Sequence, residues 1–357
     1  MNIPTGPADA DTDSISAPRR LMAVTLKPLA DQVMLITGAS SGIGLVTARA
    51  AARQGASVML VARGETALRA AAEQLTSEGL KAGFAVADVR STEDLRAAAA
   101  ATVTQFGRID SWVNCAGVAL YAKLVDTPED EHQQLFQTNY FGVVHGSLVA
   151  LEHLREQGGA LITVGSIVGD IPAPIMGAYA ASKHAVKGFI ESLRIEINAD
   201  RLPIAVTLIK PAGIDTPIAA HAANHQEGAA LLPPPLYAPD LVADAILEAA
   251  VTPRLSITVG GIGRAQVLFG THFPGLLAKF GGLMMPLLSD PKQAKTPGHN
   301  LDHPIAGGRE RSADQHGRTV SLYALARQPA AQIALAAALG LGAAAVVRRH
   351  QTKGDPR

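Results

Sequence analysis

The sequence predicts an α/β protein built on a doubly wound parallel sheet with helices on both faces, and three observations lead there. From Asp31 to about residue 260, apolar runs of strand length alternate with segments of helix length and period. Those runs are continuous instead of alternating with polar residues, which is how strands covered on both faces read. Aromatic residues make up only 4% of a chain that is 48% hydrophobic and rich in alanine, a balance that favours helices packed on a sheet over an all-β core.

The elements follow in order. Residues 33–44, VMLITGASSGIG, are an apolar strand running into a glycine-rich turn, and LVTARAAARQG continues as a helix that Gly55 stops. SVMLVAR (57–63) is a second strand, residues 65–78 are a helix, and KAGFAVADV (81–89) is a third strand. Ser91 and Asp94 in STED look like a capping box opening the next helix, and IDSWVNCAG (109–117) is the fourth strand. Thr127 at the N-cap and Pro128 at the first helical position open one long helix through residue 154. GALITVGSI (159–167) is strand five, residues 178–197 are a helix, and IAVTLIKPAG (204–213) is strand six. Beyond Pro211 the regularity weakens: residues 217–239 read as a mobile insertion, 240–251 as a helix and LSITVG (255–260) as the last strand. The predicted division is a flexible extension over 1–28, a single sheet-bearing domain over 29–260, an apolar cap over 261–305, a linker over 306–326 and an alanine-rich helix over 327–349.

Charge and cysteine content narrow the function classes. Lys and Arg number 31 and Asp and Glu 31, so no field of one sign draws the molecule to nucleic acid; binding must come from a local site. A single cysteine, Cys115, excludes an intrachain disulfide framework and agrees with a reducing compartment. The first thirty residues lack a basic segment followed by an apolar core, so no secretory signal is expected and the catalytic part is expected to be cytoplasmic.

Local chemistry begins at the glycine-rich turn. Gly38, Gly42 and Gly44 join a strand to a helix in G-x-x-x-G-x-G spacing, which permits a tight turn and lets a pyrophosphate approach the unpaired N–H groups of the helix start. At the end of the second strand, an NAD-selective site usually places a carboxylate for the ribose 2′-hydroxyl; here Ala62 is followed by Arg63. A guanidinium suits a 2′-phosphate, so NADP is favoured over NAD. Tyr179 and Lys183 of YAASK lie one helical turn apart, so the ammonium can stabilise the phenolate of a group whose ordinary pKa is near ~10. That pair makes a general acid/base with its electrostatic tuner. Ser166 ends strand five, where its hydroxyl can meet a substrate carbonyl; Asn114 ends strand four and Asn139 lies inside the long helix.

TGASSGIG, NCAG, the helix asparagine, the serine and YAASK, in that order, resemble the short-chain dehydrogenase/reductase family from Asp31 to about residue 260. The resemblance implies a Rossmann-type domain that moves hydride between NADP and a carbonyl/alcohol pair. Tyr179 would be the acid/base, Lys183 would bind the nicotinamide ribose and lower the Tyr179 pKa, Ser166 would orient the carbonyl, and Asn139 would hold a relay water. The implied cofactor site takes Gly38, Ser40, Ser41, Gly42, Ile43, Gly44 and Arg63 at the phosphates. Asp88 and Val89 would lie at the adenine, Asn114, Ala116 and Gly117 at the ribose, and Pro211, Gly213, Ile214 and Thr216 at the nicotinamide, beside Tyr179 and Lys183. It also implies a homodimer or homotetramer using the helix that carries Phe189 and Leu193. Two positions depart from the family pattern: Cys115 replaces the second asparagine of the commoner NNAG, and Ala212 replaces the usual glycine after Pro211. Neither position supplies a catalytic side chain. The Pro/Ala/Leu-rich residues 214–240 and the cap favour an apolar, lipid-like ketone or alcohol. The competing reading is an NADP(H)-binding scaffold or sensor without turnover.

Other signals are weaker. His221 with His225 and His299 with His303 share helical spacing but lack a third ligand, so no metal site is expected. Ser166 is not in G-x-S-x-G spacing, which argues against a hydrolase. Residues 329–347 are an uncharged run of 19 residues, long enough either to anchor in a membrane or to dock as an alanine-rich helix on a subunit.

Overall fold

The computed structural model describes residues 24–305, 307–321 and 323. Most of the expected extension and the whole 329–347 run lie outside the described residues. The main sheet is built of β1 (Val33–Thr37), β2 (Ser57–Ala62), β3 (Ala82–Val86), β4 (Ser111–Asn114), β6 (Gly159–Val164), β7 (Ile204–Pro211) and β10 (Ser256–Val259). β5 (Leu120–Tyr121) pairs with β8 (Ala223–Asn224), and β9 (Ala229–Ala230) with β11 (Ser289–Asp290). The seven main strands run parallel in the order β10-β7-β6-β4-β1-β2-β3. Strand order reverses between β1 and β4, and a doubly wound sheet opens a ligand crevice at such a point.

Continuous apolar strands are explained by two helical layers. On β1, Met34 and Ile36 face one layer and Leu35 the other, so all three are fully buried. The first layer holds α1 (Gly42–Arg53), α2 (Glu65–Ser77) and α7 (Asp240–Val251), through residues such as Leu45, Leu68 and Ile246. The second holds α3 (Thr92–Phe106), α5 (Gly142–Gln157) and α6 (Gly177–Ala199), with Leu95, Val149 and Ile190 inside. The Ser91 cap is made: its Oγ accepts from the Asp94 N–H at 3.1 Å.

The structure adds to or departs from expectation in five places. The long helix starts at Glu129, with Pro128 as its N-cap, and divides into α4 (Glu129–Phe136), a π-helical turn over Gln137–Phe141, and α5. The insertion contributes β8 and β9 to the two ribbons and is anchored by them. The cap is helical, with α8 (Gly261–His272) and α9 (Pro274–Phe280) followed by a 3-10 stretch over Gly281–Leu287. The described part of the linker is fastened to the domain: the Asp215 carboxylate accepts from the N–H groups of Ser312 and Gly317, each at 3.0 Å. At the other end, Lys27 forms an ion pair with Asp110 at 2.5 Å, so residues 24–28 also lie on the domain. Among the described residues no helix is long and apolar enough to cross a membrane.

Candidate active site

The glycine-rich turn lies at the C-terminal end of β1, beside the switch point. Gly38 has φ +70°, and a Cβ there would stand 2.7 Å from the Ala116 Cα, so only glycine fits between the two strand ends. Thr37 ties these ends together: its Oγ1 accepts from the N–H groups of Cys115 (3.1 Å) and Ala116 (3.3 Å). A Cβ on Gly44 would lie 2.4 Å from the Gly38 carbonyl oxygen, which explains the third glycine.

This turn forms one wall of a cleft of about 440 Å³. Gly38, Ser40, Ser41, Gly42, Ile43, Gly44, Arg63, Asp88, Val89, Ala116, Gly117 and Thr216, all expected site residues, line it together. Thr138 and Asn300 line it too, and Thr138 Oγ1 and Asn300 Oδ1 are buried polar atoms without a hydrogen-bond partner among the described residues. Two unsatisfied polar atoms, a helix N-terminus and a cradle that a Cβ would fill fit a dinucleotide. Asp88 is held by Arg90, whose Nη2 stands 2.7 Å away; burial acts to raise the Asp88 pKa, but the hydrogen bonds and charge of Arg90 together with the charge of Arg63 keep it below its usual value. Arg63 turns toward the C-terminal segment. Its Nη1 donates to the carbonyls of Leu301 and Asp302 at 3.1 Å each, and its Nη2 donates to that of Asn300.

A second cleft of about 410 Å³ covers Ser166, Tyr179 and Lys183 and takes in Pro211, Gly213 and Ile214. Its far wall is apolar, with Pro233–Pro235, Phe269, Leu276, Phe280 and Met284. The two clefts share Ile43, Cys115, Gly117, Thr216 and Ile218.

α6 delivers Tyr179 and Lys183 on one face, with the Lys183 Nζ 5.7 Å from the centre of the Tyr179 ring. Lys183 is 5% exposed and donates to the Val164 carbonyl at 3.1 Å, which fixes it against the end of β6. Burial pushes its pKa down to about 8. Burial also pushes the Tyr179 phenol up to about 12, and the hydrogen bond with Ser166 pulls the other way without offsetting it. The lowered Tyr179 pKa expected from its lysine neighbour is therefore outweighed by desolvation in this state. Ser166 Oγ itself accepts from the Val168 N–H at 3.3 Å. Cys115 is desolvated, and its thiol is pushed up to about 12, which disfavours the thiolate a nucleophile needs.

Two expected site residues line neither cleft. Asn114 turns into the core, where its Oδ1 accepts from Trp112 Nε1 at 2.9 Å and its Nδ2 donates to Ser147 Oγ at 3.0 Å. It supports the NCAG turn from behind. Asn139 is fully buried in the π-helical turn, clasping the Val118 backbone through N–H to Oδ1 (2.8 Å) and Nδ2 to C=O (3.0 Å). A Cβ on Gly117 would sit 3.5 Å from Asn139 Oδ1 and 3.8 Å from Lys183 Nζ, so the asparagine backs the floor of the lysine site. π-turns of this kind often mark functional sites. Sequence reasoning missed Thr138, Asn300 and Gln266 as lining residues; Thr138 was the one with a local signal, being adjacent to Asn139. No three His, Cys, Asp or Glu side chains gather to hold a metal among the described residues, and His225 instead pairs with Glu131 at 2.8 Å. Leu193 is buried inside the subunit, whereas Ile195 on the same helix is 70% exposed.

Comparison with known proteins agrees with this geometry. Residues 32–227 match the family described as short chain dehydrogenase. An uncharacterized oxidoreductase of Bacillus subtilis, YxnA, is 40% identical over 275 residues, 76% of each chain. The 11-beta-hydroxysteroid dehydrogenase A of Arachis hypogaea is 35% identical over 192 residues, 53% of this chain and 54% of that one. The crystal structure of a short chain dehydrogenase/reductase from Burkholderia phymatum in complex with NAD superposes with a TM-score of 0.63 at 25% identity, covering 70% of this chain and 96% of that one. An alcohol dehydrogenase of Thermococcus sibiricus complexed with 5-hydroxy-NADP gives 0.56 at 26% identity, covering 64% and 95%. With more than half of its length inside the family match, the chain belongs to the short-chain dehydrogenase/reductase family and is an NAD(P)-dependent oxidoreductase.

Proposed function

We propose that the protein is an NADP-dependent oxidoreductase of an apolar, lipid-like ketone or secondary alcohol, with Tyr179 as the general acid/base. The observation that carries this is the placement of Ser166, Tyr179 and Lys183 in an apolar cleft that shares Gly117, Thr216 and Ile43 with the cleft over the glycine-rich turn. A nicotinamide bound across that shared wall would supply or accept the hydride. Every other part belongs to the chain. Gly38, Gly42 and Gly44 let the phosphates reach the α1 N-terminus, Arg63 provides positive charge for a 2′-phosphate, and Thr216 lies at the shared wall near the nicotinamide end. Ser166 donates to the substrate oxygen and orients it toward Tyr179, which gives up its proton in the reducing direction. Lys183, held by Val164, places its charge beside the phenol and stabilises the phenolate left behind. The Pro233–Pro235 and Phe269–Met284 walls exclude water and accept an apolar body.

A homodimer or homotetramer built on α6 would use the outer face of that helix, where Ile195 is 70% exposed. Light scattering that reports a monomer would remove that part. For the reaction, NADPH and NADH oxidation is followed across matched ketones of rising apolar length. Faster turnover with NADPH and with longer ketones is expected; a preference for NADH or for short polar ketones would overturn the corresponding half of the proposal.

A further inference from the structure

A guanidinium carries five N–H donors. On Arg63, three of them end on one stretch of backbone, the carbonyls of Asn300, Leu301 and Asp302. Among the described residues the remaining two, on Nε and Nη2, make no hydrogen bond. Two donors on one guanidinium are what a bidentate grip on a phosphate uses.

The stretch that holds Arg63 is seated on the glycine-rich turn. The Gly308 N–H donates to the Ser40 carbonyl at 2.7 Å, and the Gly42 N–H donates to the Arg309 carbonyl at 2.9 Å. Glu310 pairs with Arg49 of α1. Gly307 fits so closely that a Cβ would stand 2.8 Å from the Ala67 Cβ and 2.9 Å from the Ser40 oxygen. Asn300 faces the cleft with its Oδ1 buried and unpartnered. The nearby Asp88 carboxylate, which would repel a phosphate, is paired with Arg90 at 2.7 Å.

We propose that residues 300–305 and 307–310 are a built part of the dinucleotide site, a strap whose carbonyls hold Arg63 as a two-pronged donor for a ribose 2′-phosphate. The proposal rests on the reading of this cleft as an NADP site and adds the residues that make the arginine selective. A free arginine loses rotamer freedom when it grips a ligand; the strap removes that freedom beforehand, so less is lost on binding. Asn300, Leu301 and Asp302 are positioning residues, acting through Arg63.

The test uses the full chain and two probes that differ by the 2′-phosphate, 2′,5′-ADP and 5′-ADP, with affinities from calorimetry. In the wild type 2′,5′-ADP binds more tightly. Gly307→Val, which unseats the strap without touching Arg63, is expected to cut that preference about tenfold while 5′-ADP affinity changes less than about threefold. Glu310→Ala, a milder release of the same segment, cuts the preference about threefold if Gly307→Val fails to fold. The Arg63 Nε–H resonance, assigned with Arg63→Lys, is expected to shift with 2′,5′-ADP and to stay put with 5′-ADP, and to lose that response when the strap is released. A folded strap variant that keeps the full preference, or loses both probes equally, overturns the strap while leaving the NADP reading intact. A wild type without preference for 2′,5′-ADP overturns both.

Discussion

The two clefts sit side by side and are made of different material. The cleft over the glycine-rich turn is lined mainly by glycines at strand ends, a helix start and small side chains placed by the sheet, joined by Arg63, Asp88 and the segment of Asn300, Pro304, Ile305 and Gly307. The second cleft has its polar floor from the sheet and the helix packed on it, Ser166 after β6 and Tyr179 with Lys183 on α6, but much of its apolar wall, Pro233–Pro235, Phe269, Leu276, Phe280 and Met284, comes from segments beyond β7. Reaction and specificity would thus be stored in different material. Chemistry needs groups held to a fraction of an ångström and is placed on the rigid sheet, whereas selection needs only shape and apolar area and is left to segments that can vary.

Substitutions can break this contrast, and the largest effect falls on the floor. Tyr179→Phe removes the proton donor and is expected to lower turnover by about 10²–10⁴-fold with NADPH affinity unchanged, read by steady-state rates and calorimetry. Gly38→Val attacks the other cleft: a valine at φ +70°, with its Cβ 2.7 Å from Ala116, should weaken dinucleotide binding on the order of 100-fold.

Lys183→Met separates chemistry from stability. Because burial lowers the folded-state pKa of Lys183 to about 8, below its unfolded value, the protonated lysine costs stability at neutral pH. That cost fades as pH rises from about 8 toward the unfolded value. The methionine variant should thus be inactive yet more stable by about 2 kcal/mol at pH 7, with the gap to wild type closing above about pH 10, as measured by urea unfolding across pH. A variant less stable at pH 7 would show that the Val164 hydrogen bond outweighs desolvation. Phe280→Ser, in the variable wall, should raise KM for a long apolar ketone about fivefold and leave NADPH affinity untouched. If it weakened NADPH as well, the two clefts would not be separable.

The same contrast governs how far the molecule could be read from its sequence. The cofactor turn was legible because its glycines answer to local demands, a positive φ and close strand approach, that no other residue meets. That Tyr179, Lys183 and Ser166 meet in one cleft was legible because a helical turn and a strand end fix their relation. The π-turn was not, since Gln137–Phe141 has the same apolar periodicity whether its hydrogen bonds span four residues or five. Asn114 was placed in the cofactor site on its position in NCAG, yet strand pleating turns its side chain to Trp112 and Ser147. Residues 306–326 read as a linker because their polar composition carries no period; the described ones attach through backbone groups, such as the Gly308 N–H to the Ser40 carbonyl and the Gly42 N–H to the Arg309 carbonyl, which composition cannot encode.

In the proposed reaction, hydride moves between a nicotinamide and a carbonyl carbon under the control of Tyr179. This step is tested most directly by a single turnover with NADPH deuterated at the transferring carbon and a long-chain ketone, with the product alcohol analysed by mass spectrometry. One deuterium is expected on the carbinol carbon with the wild type, and none above background over the same time with Tyr179→Phe, which still binds the cofactor. Label transfer that proceeds equally in the variant, or no transfer across the ketone series despite tight NADPH binding, would contradict it.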